Sequence, residues 1–170
     1  QRQMCIRDSY LPADTEAAGT SFSLANELID LMNSIIEANP EKFFLIDTST
    51  YLGNLPGQNL IGIAYGMENG AALEGNLSNV EYFYKRGIRY ITLTHSKSNH
   101  ISDSSYDENK QWGGLSDFGK NLITEMNNVG IMIDISHVSD AAFLQAIDLS
   151  NTPVIACLLY TSDAADDHHR

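Results

Sequence analysis

The chain has 170 residues and is strongly acidic, with 22 Asp and Glu residues against 10 Lys and Arg residues and a formal net charge of −12. Such a charge argues against a nucleic-acid partner and is typical of a well-solvated protein surface. No run of residues approaches the roughly 18 to 20 apolar residues of a membrane-spanning helix. The composition therefore favours a soluble protein without a transmembrane segment, and the length is that of one ordinary domain or of part of a larger one.

The two ends of the chain can be encoded by one DNA element read in opposite orientations. The first nine residues, "QRQMCIRDS", can be encoded by DNA whose reverse complement, in a shifted frame, encodes "CLLYTSDA", Cys157 to Ala164. Unrelated protein termini rarely share this property, so we interpret residues 1–9 and 157–170 as a translated sequencing adapter. Residues 10–156 are then the natural protein. Both cysteines lie in the two end segments, so the cysteine count says nothing about the compartment.

The first predicted element is an amphipathic helix in "SLANELIDLMNSIIEANP". Leu24, Leu28, Leu31 and Ile35 recur at helical spacing, and Pro40 ends the pattern. After a loop rich in Gly, Thr and Pro, "NLIGIAYGM" (residues 59–67) is too short for a typical helix. Its apolar residues and the turn residues around it predict a buried strand.

A helix and a second strand follow. Ser78 and Glu81 have the spacing of a capping box at the start of this helix, which Gly87 is placed to end. The segment "IRYITLT" (residues 88–94) is predicted to be the next strand.

The last third of the chain repeats this order. Ser116 is predicted to cap a helix that Gly130 ends, before the strand "IMIDI" (residues 131–135). Ser139 opens a further helix through Leu149, before the apolar segment "TPVIA". Strands that alternate with helices predict an α/β fold with a parallel sheet.

Three side chains with metal-binding or proton-transfer capacity follow the predicted strands. Glu68, His95 and His137 each lie at or just after a carboxyl end. In parallel α/β folds these ends meet on one face, which carries the active site. Taken singly, a Glu here is more often a surface acid and a His more often a structural residue. Their recurrence at one structural position makes the three a candidate site.

Other polar residues have less distinctive surroundings. Asp134 lies in an apolar run and must be paired if buried, either to orient a ligand or in a structural hydrogen bond. His100, Asp103 and Asp107 lie in a polar loop of about 19 residues, where we expect ordinary solvation. Trp112, beside two glycines, is expected to be a packing anchor at a turn.

Several motifs together resemble the membrane dipeptidase family, also called renal dipeptidase or peptidase family M19. They are "GMENG", "RYITLTHS", "SDSS", "GLSDFGKNLITEMNNVGIMIDISHVSD" and "PVIA", and the resemblance covers residues 67–156 in register. It implies a TIM-type (β/α)₈ barrel, of which about half is present, with two Zn²⁺ ions on its carboxyl-end face. The reaction implied is the hydrolysis of dipeptides.

The resemblance also implies a role for each candidate residue. Glu68, in "GMEN", would bridge the two metal ions, and His137, in "DISH", would bind one of them. His95, in "LTHS", would bind the substrate. Four features of the family have no counterpart in this sequence: the early His-x-Asp pair, the His of a Ser-His-Ser motif after "PVIA", the Arg that binds the substrate carboxylate and the Asp that transfers a proton. The catalytic residue for proton transfer is therefore unknown, and we expect this chain alone to be inactive.

Two other interpretations stay open at this point. One is a non-catalytic α/β ligand-binding domain in which the three residues are structural, and the other is a different metal-dependent amidohydrolase on the same barrel. The sequence does not determine the oligomeric state or the compartment, for which the cell envelope or periplasm is one option.

Overall fold

A computed structural model describes residues 4–47 and 60–156 of the chain, and the backbone alone for residues 4–9. The elements follow in the order β1 (Met4–Tyr10), α1 (Asp14–Ala18), α2 (Ser21–Ala38), β2 (Phe43–Leu45), β3 (Ile61–Glu68), a 3₁₀ helix (Gly70–Leu73), α3 (Ser78–Lys85), β4 (Ile88–Thr92), α4 (Asp117–Val129), β5 (Met132–Asp134) and α5 (Asp140–Leu149).

In the part of the chain that the structure describes, the sheet has five strands, and every pairing between them is parallel. β3 is central. One of its edges pairs with β1 along residues 62–68, and the other pairs with β2 near its start and with β4 near its end. β5 pairs with β4, with Ile91 opposite Ile133. The carboxyl ends of β3, β4 and β5 therefore lie side by side, as the predicted α/β fold with a parallel sheet requires.

Three of the predicted strands appear at their predicted places, as β3, β4 and β5. The segment "TPVIA" makes a single parallel bridge, between Ile155 and Asp134. β2 has only three half-buried residues, too few to stand out as a pattern. Most of β1 lies in the segment that we assign to an adapter, and that assignment stays a prediction. The predicted loop at residues 51–58 lies outside the described residues.

The helix caps were predicted correctly for α4 and α5 but not for α3. Ser116 accepts a hydrogen bond from the Gly119 amide at 2.9 Å, and Ser139 accepts one from the Ala142 amide at 3.3 Å. At α3 the predicted capping box is wrong, because Ser78 is already the first helical residue. Its amide is satisfied from outside the helix by the Asn76 side chain, at 3.1 Å.

Only part of the predicted apolar stripe of helix α2 packs against the core, where Leu24 and Leu28 are partly buried. Leu31 and Ile35 are 55% and 38% exposed, whereas Ala25 and Ile29 are buried. Apolar residues occupy more than one face of this helix, so their spacing identified the helix without selecting the side that packs. The packed side is the one next to β1, β2 and the 3₁₀ helix.

The core lies between the sheet and the helices that follow each strand. Its largest fully buried side chains include Phe83 of α3, Ile91 of β4 and Leu122 of α4. Within residues 4–47 and 60–156, no helix is long and apolar enough to cross a membrane.

Candidate metal centre

Glu68, His95 and His137 converge at the carboxyl edge of the sheet. Glu68 is the last residue of β3, and the two histidines follow β4 and β5. Glu68 Oε1 lies 3.2 Å from His95 Nε2 and 3.3 Å from His137 Nε2. The imidazole rings meet edge to face, with centroids 4.5 Å apart. The neighbouring strand ends thus bring together the three side chains that the sequence placed after them.

Electrostatics favours the metal-binding protonation state of Glu68 and His95. The pKa of the Glu68 carboxyl is lowered, first by its polar contact with the His137 imidazole and further by the charges of both histidines, although burial opposes this. Burial lowers the pKa of His95, because a partly desolvated imidazole is less readily charged. A carboxylate beside a neutral imidazole is a donor set that suits a divalent transition metal.

The donor atoms fit a metal ion better than they fit one another. One ligand atom from each of the three residues lies within 4.8 Å of the others. His137 Nε2 and His95 Nδ1 are buried, and no described group meets either of them in hydrogen-bond geometry. A buried polar atom without a partner is costly, so such atoms need an explanation. A cation between the donors would satisfy His137 Nε2. The nearly equal distances from Glu68 to the two histidines do not separate their roles.

The backbone around the site adopts uncommon conformations. His137 has a φ of 66° and Asn69, directly after Glu68, a φ of 78°. Positive φ is uncommon outside glycine and persists where the surroundings hold it. The Asn69 side chain donates to Leu11 O at 2.9 Å and accepts from Asn99 Nδ2 at 3.0 Å. The turn that carries Glu68 is thereby fixed to the start of the long loop.

Four residues at the site were not singled out individually by sequence. The Tyr10 ring lies 4.8 Å from the His95 ring and the Tyr106 ring 5.8 Å from the His137 ring. Ser104 and Ser105 donate hydrogen bonds to the backbone carbonyls of the two histidines. The two serines belong to the "SDSS" motif of the family resemblance. No periodic pattern in the sequence marks them, because their contacts are with segments far away in the chain.

The expectation that His100, Asp103 and Asp107 are merely solvated is wrong. His100 Nδ1 lies 2.6 Å from Glu16 Oε1, so this histidine joins the long loop to α1. Asp103 and Asp107 are 1% and 6% exposed and accept hydrogen bonds from loop amides. A polar loop of this length must satisfy its own backbone amides, and these carboxylates do so.

Trp112 and Asp134 have structural partners. The Trp112 indole donates to Asn99 O at 2.8 Å, and both following glycines have positive φ, as expected for a packing anchor at a turn. Asp134 is fully buried and accepts hydrogen bonds from the Thr92 hydroxyl at 2.7 Å and the Ser136 hydroxyl at 2.7 Å. These bonds support the structural alternative for Asp134.

A parallel α/β sheet with a Glu and two His at its carboxyl edge has the form of a metal-dependent enzyme. Residues 7–166 match the family model of the membrane dipeptidases, peptidase family M19. Since this match covers most of the chain, the chain belongs to the membrane dipeptidase family.

Individual relatives agree with this assignment. "Dipeptidase 3" of Mus musculus is 32% identical over 151 residues, which are 86% of this chain and 30% of that protein. "Dipeptidase tcpJ" of Claviceps purpurea is 32% identical over 127 residues, 75% of this chain and 30% of that protein. The chain therefore spans about a third of the length of these relatives.

Solved structures agree on the fold. An amidohydrolase from Pseudomonas aeruginosa superposes with a TM-score of 0.78 at 26% identity, covering 89% of this chain and 43% of that one. The predicted partial (β/α)₈ barrel, about half of the complete fold, is confirmed.

Proposed function

We propose that the protein of which this chain is a part hydrolyses dipeptides with the help of bound zinc. The proposal rests on the Glu68 carboxylate, which lies 3.2 and 3.3 Å from two imidazole nitrogens. The named dipeptidases among the relatives supply the substrate class. A location at the cell envelope or in the periplasm, suggested by the family's name, belongs to the same proposal.

Glu68 and His137 are the residues proposed to hold the metal, and His95 the residue proposed to bind substrate. Glu68 supplies a charged carboxylate, and His137 supplies a buried nitrogen 3.3 Å from it. Bound zinc ions would lower the pKa of a water molecule, so that hydroxide is available near neutral pH. His95, neutral because burial lowers its pKa, can donate one hydrogen bond from the imidazole to the oxygen of the scissile carbonyl as negative charge develops there.

The chain alone is proposed to be inactive. A zinc ion is usually held by three or four protein ligands, and a pair of ions needs more than the cluster offers. Within the described residues, Glu68, His95 and His137 form the single group of this kind. The remaining ligands and the group that transfers the proton would come from the rest of the barrel.

The test compares the wild type with Glu68→Gln in two measurements, which are zinc binding by this chain and dipeptide hydrolysis by the complete protein. Gln keeps the shape but removes the charge, so we expect zinc affinity to fall at least about a hundredfold, the upper end of what residues behind the ligands contribute. Hydrolysis should fall to background. Glu108→Gln is the matched control, because Glu108 is exposed in the long loop. Equal zinc affinity in wild type and Glu68→Gln would contradict the metal site and favour a non-catalytic binding domain.

A second candidate is another metal-dependent amidohydrolase, favoured by the name of the Pseudomonas aeruginosa structure. The complete protein would be compared on dipeptides, acylated amino acids and cyclic amides. Zinc-dependent hydrolysis of the latter two substrates, with none of the dipeptides, would replace the dipeptidase proposal.

A further inference from the structure

The segment Asp103 to Ser105 lies against the backbone that carries His137. Ser104 and Val138 form an isolated antiparallel bridge. On one side of it the Ser139 amide donates to Asp103 O at 2.9 Å, and on the other the Ser105 amide donates to His137 O at 2.8 Å. The long loop thus returns, through a single antiparallel bridge, to the backbone beside the candidate site.

Two serine hydroxyls in this segment reach the backbone of both histidines. The Ser104 hydroxyl donates to His95 O. The Ser105 hydroxyl donates to His137 O at 3.1 Å, beside the amide of the same residue. His95 and His137 follow different strands, so the serine pair is a physical link between them.

The hydrogen bonds from Ser105 hold His137 in an uncommon backbone conformation. With a φ of 66°, His137 is in the left-handed region, which a residue with a side chain adopts only when it is held there. Its carbonyl accepts both hydrogen bonds from Ser105, so rotation of this peptide would break both. Holding that peptide also fixes the direction of the Cβ, and therefore of the imidazole that lies 3.3 Å from Glu68 Oε1.

We propose that Ser104 and Ser105 are positioning residues: Ser104 holds His95, proposed to bind substrate, and Ser105 holds His137, proposed to bind the metal, at the separation that the site requires. This rests on the proposed metal site, and we call the pair the serine clasp. Neither hydroxyl is assigned as a ligand, since each donates to a carbonyl. The clasp acts on donor atoms through the backbone, as hydrogen-bonded partners behind a metal ligand fix its orientation.

The test compares Ser105→Ala, Ser104→Ala and the control Ser102→Ala in this 170-residue chain. Ser102 lies in the same loop and its hydroxyl also donates to a carbonyl, that of Asp103 at 3.1 Å, but to neither histidine. Ser105 is exposed, so its variant should fold, whereas Ser104 is buried. Ser105→Thr keeps the hydroxyl and should restore the wild-type behaviour.

Two quantities are measured for each variant. The first is Zn²⁺ affinity by competition with a chromogenic chelator. We expect about a tenfold loss in Ser105→Ala, whose hydroxyl holds His137, and less than about twofold in Ser104→Ala and Ser102→Ala. The second is the imidazole NMR spectrum of the metal-free chain, where Ser105→Ala should shift the His137 signals and Ser104→Ala those of His95.

The outcomes separate this inference from the proposed function. If the wild-type chain takes up no Zn²⁺, the proposed metal site fails, and the metal-free spectra alone decide whether the serines position the imidazoles. Unchanged imidazole signals in Ser105→Ala would overturn the clasp, as would equal losses of Zn²⁺ affinity in Ser105→Ala and Ser102→Ala. Failure of Ser105→Thr to restore the wild-type spectrum would overturn it too.

Discussion

Replacing Asp103 by Asn should destabilise the chain, because this carboxylate organises the long loop. Asp103 is 1% exposed. Its Oδ1 accepts from the Gln111 amide at 2.6 Å, and its Oδ2 accepts from the Gly114 amide at 3.0 Å. The Trp112 amide is shared between both oxygens at 3.2 Å. Burial alone raises the pKa of Asp103, but these amides outweigh it and lower the pKa below its usual value.

The size of the destabilisation depends on how many of these amides an Asn side chain can still accept hydrogen bonds from. Its one oxygen can serve the Gln111 and Trp112 amides, while its NH₂ group would face the Gly114 amide, donor against donor. A hydrogen bond to a charged acceptor contributes about 1.5 to 3 kcal/mol. Losing the bond from the Gly114 amide, together with the charge that strengthens the two remaining bonds, predicts a loss of about 2 to 3 kcal/mol.

The measurement is urea unfolding of the 170-residue chain followed by circular dichroism. Glu108→Gln removes one negative charge from the exposed part of the same loop and should change the free energy of unfolding by less than about 0.5 kcal/mol. Equal effects of the two substitutions would refute the reasoning, because the loss would then reflect net charge rather than the bonds to the loop amides.

Two further predictions concern packing and pH. Gly119→Ala would place a Cβ against the backbone carbonyl oxygen of Ile101, which cannot move aside as a side chain could. We expect this substitution to lower the free energy of unfolding by about 1 to 3 kcal/mol in the same urea assay. The control Asn121→Ala, at an exposed position of the same helix, should change it by almost nothing. Because burial holds the pKa of His95 in the folded chain below the usual histidine value of about 6.5, the unfolded chain takes up this proton first as the pH falls. Stability from His95 is therefore complete above about pH 6.5 and declines below it. The metal-free urea midpoint should fall less between about pH 7.5 and 5.5 in His95→Gln than in wild type, and parallel slopes would contradict the assigned pKa shift.

The strand ends were predictable because each is marked locally. Short apolar runs with turn residues around them gave β3, β4 and β5, and residues with N-cap and C-cap chemistry, such as Ser116 and Gly130, bounded the helices. Once those ends are placed, parallel topology alone brings Glu68, His95 and His137 to one edge. This much of the site needed no tertiary information.

The remaining features depend on partners far away in the chain. Ser78 looked like a cap, but Asn76 satisfies its amide, and local spacing cannot decide between two polar residues two positions apart. Leu31 shares the helical spacing of Leu24 and Leu28 but is 55% exposed, because the apolar residues of α2 cover more than one face. The buried state of Asp103 depends on amides that the loop supplies only after it has folded back on itself.

The long loop holds the backbone beside the candidate site residues in conformations that the strands alone do not fix. Each βα unit contributes one side chain to the cluster of Glu68, His95 and His137, so no single unit forms the proposed site. Packing of the parallel strands brings the donors near, but backbone conformations outside the regular regions, at Asn69 and His137, decide where the donors point. The long loop supplies hydrogen bonds at both places, through Asn99 and Ser105. Substitutions in this loop should therefore weaken metal binding more than their small effects on the sheet would suggest.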